Sequence, residues 1–209
     1  MSVAASTGAP PQPRLSLRFT ARDLVNTAIF AVILIVLTYA IGMLGIISPL
    51  VWVLVIPLQA LAGGTPVTLF LTRVRHAGMF VLFAAVVALF YLLSGNTLPG
   101  TLAVIGLGVL AEAILLAGRY RSRWAVIWAY TVFALSFLTP FLPLLIDRAA
   151  YFASSSWTQM GAEYVAAADA LLTGPVLIGV GLAIAVGGFL GGLLGSTMLR
   201  KHFVRAGVA

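Results

Sequence analysis

Six side chains suited to binding a small ring compound are concentrated in one connection of the chain. Residues 147–172 form a polar stretch between two strongly apolar segments. Aromatic rings together with a few amide or carboxyl groups are typical of small-molecule sites. The candidate substrate-binding residues are Asp147, Tyr151, Trp157, Gln159, Glu163 and Tyr164. Since Trp and Tyr also populate membrane interfaces, anchoring is the alternative role for each aromatic residue.

Other kinds of chemistry have few residues to support them. The chain has no cysteine, and its two histidines lie far apart, so we expect neither a metal site nor a cofactor. The single lysine, Lys201, is not part of a P-loop, which argues against ATP binding by that motif. No two acids share an apolar segment, as a proton relay or an aspartyl dyad would require. These absences predict a protein that is not an enzyme.

Glu112 is the one acidic residue inside an apolar segment. An ionisable side chain in such a place indicates a function by default. However, Glu112 precedes Arg119 by only seven residues, which is about 10 Å along a helix. We therefore expect a structural ion pair with Arg73 or Arg119, and contact with a ligand is the alternative.

The composition predicts the elements that position these residues. Hydrophobic residues make up 62% of the chain, charged residues 8%, and the mean hydropathy is +1.13. Such values are typical of an all-α integral membrane protein. We expect a basic, disordered tail over residues 1–21 and a six-helix membrane domain over 22–207. The predicted spans are 24–47, 50–71, 78–93, 98–117, 124–146 and 174–199.

Two segments of this pattern have further expected features. Pro57 and the sequence at 63–66 predict a kink or an interruption in the second span. Residues 162–172 are expected to form an amphipathic helix at the membrane interface.

The positions of the basic residues predict the orientation. If the N-terminus is cytoplasmic, 11 of the 12 Lys and Arg residues lie inside, and only Arg148 lies outside. Because Lys and Arg are enriched in cytoplasmic loops, both termini are expected in the cytoplasm of a prokaryotic cell, with the chain in its plasma membrane. The net charge of +7 is then explained without nucleic acid.

The last span carries glycines at every fourth position. Gly187, Gly191 and Gly195 lie on one face of a helix, and Gly188 and Gly192 repeat the spacing one residue later. Such rows allow the close approach of another helix. We expect packing within the chain, and a docking face for a partner is the alternative.

Several motifs together resemble a family of transport proteins. The chain is similar to the substrate-binding (S) components of energy-coupling factor (ECF) transporters, within them the MptD or Trep-Strep group, over about residues 22–207. The motifs are Arg22-Asp23-Leu24, Gly63-Gly64-Thr65-Pro66 before Arg73-Val74, Ala111-Glu112 before Gly118-x-Tyr120-x-Ser122, and Lys201-His202-Phe203-x-x-Ala206-Gly207.

This resemblance implies a six-helix bundle with a pocket open to the outside. It also implies partners, namely a transmembrane T component and two cytoplasmic ATPases. The family's Ala-x-x-x-Ala docking face has its nearest matches here in Thr27-x-x-x-Ala31 and Ala28-x-x-x-Val32. Thr27, Ala28 and Ala31 are thus the candidate docking residues. The expected function is the capture of a small, vitamin-like nutrient for uptake, and the alternative is a membrane scaffold or assembly subunit without a ligand.

Overall fold

The protein folds into long apolar helices in a computed structural model that describes residues 20–74 and 76–205, with side chains up to residue 198. Within this part the regular structure is entirely helical. The six long helices are α1 (Ala21–Gly42), α2 (Pro49–Arg73), α3 (Met79–Leu93), α4 (Leu98–Ala117), α5 (Arg123–Ala134) and, after the shorter helices, α10 (Gly174–Arg205). Three parts of the sequence analysis lie outside this description, namely most of the predicted tail, Arg75, and the side chains of the C-terminal basic motif.

Within the described part of the chain, five stretches are long and apolar enough to cross a membrane, by length and composition. They are Ala21–Ile47, Pro49–Arg73, Leu98–Ala117, Arg123–Ile146 and Gly174–Met198. The first includes the 3-10 turn Met43–Ile47, and the fourth joins α5 to the 3-10 segment Leu135–Phe141 and α6 (Leu142–Ile146). The remaining predicted span is α3, which is apolar but has only 15 residues.

Short helices fill the long polar connection. They are α7 (Arg148–Phe152), α8 (Ser155–Thr158) and α9 (Ala162–Leu171). Helix α9 confirms that a helix forms in the segment predicted to be one. Because the long helices alternate in direction, the loops near residues 47, 95 and 160 share one end of the bundle, called here the cavity end. Residues Arg22, Arg73, Arg119, Arg121 and Arg123 lie at the opposite, basic end.

Of the kink or interruption expected in the second span, the interruption does not occur. Helix α2 continues through Pro57, through residues 63–66 and on to Arg73. Neighbouring helices can hold a proline-containing membrane helix together. Here the Tyr130 hydroxyl donates to the Ala60 carbonyl, and α10 packs along the same stretch. The irregular 3-10 backbone occurs instead in the fifth span, around Pro140.

Each row of glycines on α10 faces a different neighbour. A Cβ on Gly191 would lie 2.4 Å from the Leu61 carbonyl oxygen of α2. A Cβ on Gly192 would lie 3.2 Å from the Ile127 Cα of α5. The first row therefore packs on α2 and the second on α5, which is the packing within the chain that the spacing predicts.

A cluster of aromatic rings fills the bundle below the cavity end. Phe70, Phe80, Phe83 and Phe133, from α2, α3 and α5, are all buried. The rings of Phe70 and Phe83 stack with centroids 4.8 Å apart. This part of the core is apolar and closely packed, so open space is left toward the cavity end.

Candidate ligand-binding cavity

A cavity of about 1030 Å³ lies at the cavity end. This volume is at the top of the usual range for small-molecule sites, roughly 300–1,000 Å³. Its walls come from α1, α2, α3 and the 3-10 segment after α5, and α7 to α9 cover it. We call the segment 147–164 the roof, and we call the lining residues of the long helices the floor.

Five of the six predicted binding residues line the cavity. They are Asp147, Tyr151, Trp157, Gln159 and Tyr164. Glu163 does not line it, and its side chain is exposed on the first turn of α9. Neighbouring residues on a helix point about 100° apart, so Tyr164 facing the cavity leaves Glu163 outside. The structure thus separates Glu163 from the other five candidates, and contact of Glu163 with a ligand in this cavity has no support from its position.

Trp157 is neither free to stack on a ligand over its whole face nor exposed to lipid. It is only 8% exposed and lies at the centre of an aromatic cluster. Its ring centroid is 5.4 Å from Trp52 of α2 and 5.0 Å from Phe152 of α7. Such ring pairs favour tilted or edge-to-face contact. Trp157 therefore joins the roof to the bundle and also lines the cavity.

Two polar contacts attach the roof at other points. The Tyr164 hydroxyl donates to the Gly45 carbonyl at 2.7 Å, which ties α9 to the turn after α1. Arg148 bonds through Nε to Asp169 Oδ1 at 2.6 Å and through Nη1 to the Leu172 carbonyl at 2.8 Å. The roof is thus held at its centre and at both sides.

Burial affects the ionisation of a roof tyrosine. Loss of water around its hydroxyl raises the pKa of Tyr151 to about 12. Tyr151 is therefore neutral at physiological pH, and its hydroxyl can donate a hydrogen bond to a ligand.

The floor contains polar residues that the sequence analysis did not select. They are Thr38, Gln59, Tyr91, Tyr130 and Ser136. The Gln59 Nε2 donates to the Thr38 carbonyl at 2.7 Å, so its position is fixed. Their signal in the sequence is weak, since each is an isolated neutral polar residue within an apolar span. Only the fold brings four helical segments together and places these residues around one space.

Asn96 contributes an unusual polar group at the rim. Among the described residues, its Nδ2 is the buried side-chain nitrogen or oxygen without a hydrogen-bond partner. Its Oδ1 accepts from the Thr97 backbone N–H at 3.0 Å. Buried polar groups are normally paired, so this amide marks a place where a bound acceptor would add a hydrogen bond.

The predicted docking residues do not share one face. Thr27 and Ala31 are 1% and 0% exposed and face the chain's own bundle. Thr27 Oγ1 donates to the Asp23 carbonyl. Only Ala28 is exposed, so Thr27 and Ala31 are unavailable to a partner in this structure, which corrects that prediction. The exposed side of α1 is apolar and includes Val25, Ile29 and Val32.

Glu112 has a structural role with different partners from those expected. Its carboxylate accepts from the backbone N–H of Gly78 at 2.8 Å and of Phe80 at 3.0 Å, and from the Tyr120 hydroxyl. It therefore satisfies the free N–H groups at the start of α3. The predicted pairing with Arg73 or Arg119 is wrong because backbone donors occupy the carboxylate.

A family model described as "Hypothetical bacterial integral membrane protein (Trep_Strep)" matches residues 21–205. Neither curated proteins nor solved structures gave a match. Among the described residues, no group of three or more His, Cys, Asp or Glu side chains is placed to hold a metal ion.

Proposed function

The chain belongs to the Trep_Strep family of hypothetical bacterial integral membrane proteins, and from this premise we propose that it captures a small nutrient for an ECF-type importer. The observation that carries the proposal is the roofed cavity of about 1030 Å³ at the cavity end of a membrane bundle. Its lining combines aromatic rings and other apolar side chains with neutral polar groups and the carboxylate of Asp147, as expected for a vitamin-like ring compound. In this role the chain binds and catalyses no reaction.

The charge pattern supports placing the cavity outside the cell. The basic end carries Arg22, Arg73, Arg119, Arg121 and Arg123, and cytoplasmic loops are enriched in such residues. With that orientation, in the plasma membrane of a prokaryote, the cavity opens toward the external medium. The single basic residue expected outside, Arg148, is bonded to Asp169 and to the Leu172 carbonyl, just after the roof.

Energy for uptake has to come from other subunits. The sequence has no P-loop, so we propose a transmembrane T component and two cytoplasmic ATPases as partners. The docking surface proposed here is the exposed side of α1 around Ala28, because Thr27 and Ala31 face inward. Close helix packing in membranes favours small residues such as alanine.

One experiment tests capture and assembly together. The protein is purified from membranes of its own host as wild type, as Ala28→Trp and as Ala40→Trp, and each sample is studied by native mass spectrometry. Ala40 is the matched control because it is also exposed on α1, near the cavity end. The wild type and Ala40→Trp should retain a small molecule and the partner subunits. Ala28→Trp should retain the small molecule and lose the partners.

The alternative function gives a different result. A scaffold or assembly subunit would copurify with partner proteins and carry no small molecule in any sample. That outcome, with the protein folded, would reject nutrient capture. Loss of partners from Ala40→Trp as well would reject the region around Ala28 as the docking surface.

A further inference from the structure

The cavity offers almost no charge to a ligand. Among the described residues, no Lys, Arg or His lines it, and Asp147 is the one charged side chain that does. Asp147 lies at the exposed rim, where its Oδ1 accepts from the Ala150 N–H at 2.9 Å. An anion that enters this space gives up water without gaining a cationic partner, which is unfavourable.

The basic residue next to the cavity is already used. Arg148 follows Asp147 in the chain, but its guanidinium bonds to Asp169 and to the Leu172 carbonyl. Its central carbon also lies 5.5 Å from the centre of the Phe152 ring. These contacts direct the positive charge toward α9 and away from a bound ligand.

Side chains cap three of the helix starts at the cavity end. Helices α2, α4 and α7 begin at the cavity end, and the start of a helix can bind an anion through its free N–H groups. A side chain of the preceding residue accepts from one N–H group at each of these three starts, whereas α8 and α9 begin without a side-chain cap. The bonds run from Val51 N to Ser48 Oγ, from Gly100 N to Thr97 Oγ1 and from Ala150 N to Asp147 Oδ1.

Neutral groups and rings make up the rest of the lining. Gln59, Ser136 and Gln159 offer amide and hydroxyl groups, and Trp52 and Phe141 offer rings 5.1 Å apart between centroids. We infer that the cavity binds an aromatic ring compound without negative charge, either neutral or singly positive. This inference rests on the proposed capture function and adds the charge class of the captured compound.

Isosteric probes of three charges test this inference. Two series of aromatic probes are used, one built on a single ring and the other on two fused rings. Each series consists of three compounds, which carry an amide, an amidine or a carboxylate on the same ring position. The three substituents are planar and equal in size, but their charges are zero, plus one and minus one at neutral pH. The full chain in nanodiscs is titrated with each probe, and binding is followed by tryptophan fluorescence and thermal unfolding.

The expected result is binding of amides and amidines, with carboxylates at least roughly tenfold weaker. Equal or stronger binding of the carboxylates would overturn the charge inference and leave the capture function standing. Absence of binding by every probe in both series would overturn both.

A lysine introduced by mutation provides a second, matched test. Gln159→Lys puts a positive charge on the cavity lining, and Thr158→Lys puts it on the neighbouring exposed residue outside the lining. Gln159→Lys should improve carboxylate binding roughly tenfold, as expected for one charge-assisted hydrogen bond. Thr158→Lys should leave it unchanged. An equal gain in Thr158→Lys would mean that general surface charge controls binding, and the inference would then fail.

Discussion

A single carboxylate explains how α3, the shortest of the six predicted spans, is accommodated. At 1.5 Å per residue, the 15 residues of α3 span about 22 Å, which is less than the hydrocarbon core of about 30 Å. Its first N–H groups are therefore expected at membrane depth, where unsatisfied backbone donors are costly. Glu112 accepts from two of these donors.

This geometry predicts a large effect from a small change at Glu112. Glu112→Gln replaces one acceptor oxygen by an NH₂ group, which would face the donors of Gly78, Phe80 or Tyr120. We expect a loss of about 1–3 kcal/mol in the free energy of unfolding. Glu163→Gln makes the same chemical change at an exposed site and should stay within about 0.5 kcal/mol. Thermal unfolding in one detergent measures both, and equal shifts would contradict the capping role.

At the scale of residues, the sequence predicts which residue types form the site better than it predicts which way each side chain points. The roof could be predicted because its polar and aromatic residues are close together in the chain. The exclusion of Glu163 depends on the rotation of α9, which contacts with Gly45 and Trp157 determine. The floor residues, such as Gln59 and Ser136, are separated by whole helices. Their grouping is a result of tertiary packing.

At the scale of elements, the glycine rows of α10 determine which helices meet. Gly191 faces backbone carbonyls of Ala60 and Leu61, which cannot rotate aside as a flexible side chain can. Gly179 lies on the same helix, with no atom within 4 Å of where its Cβ would be.

These two positions form a matched pair for mutation. Gly191→Ala should destabilise the bundle by about 1–3 kcal/mol, because the added methyl group overpacks a backbone contact. Gly179→Ala should be neutral or slightly stabilising, because alanine has the higher helix propensity and the added methyl group meets no neighbour there. The gain in helix propensity is the same in Gly191→Ala, so the two variants differ only in packing. The readout is the unfolding midpoint of each variant in detergent. A tolerated Gly191→Ala would show that α2 and α10 separate more easily than the structure indicates.

The spacing of the glycines was sufficient to predict packing, but not the partners of each row. Conversely, the prolines of α2 predicted a kink or an interruption, and the interruption does not form. Local propensity opposes a helix at Pro57 and Pro66, yet contacts from α5 and α10 support it on the buried side. The identity of a neighbour is tertiary information, and here it reverses a local prediction.

At the scale of the whole molecule, the orientation is open to a direct test. The chain has no cysteine, so each introduced thiol is the only one that can react. Ser155→Cys, on the exposed roof, should react with an impermeant thiol reagent in intact cells. Arg121→Cys, exposed at the basic end, should react only after the cells are permeabilised. The reverse pattern would place the cavity on the cytoplasmic side.

The glycine rows also have a consequence for biosynthesis. A ribosome makes α2 and α5 well before α10, so these helices enter the bilayer while the surface that packs on them is still missing. Until α10 arrives, the Leu61 carbonyl lacks the glycine face that packs on it, and the bundle cannot close. An interrupted chain would therefore remain as an inserted but open intermediate, recognisable to membrane proteases. Completion of the bundle is in this way coupled to completion of translation through the last span.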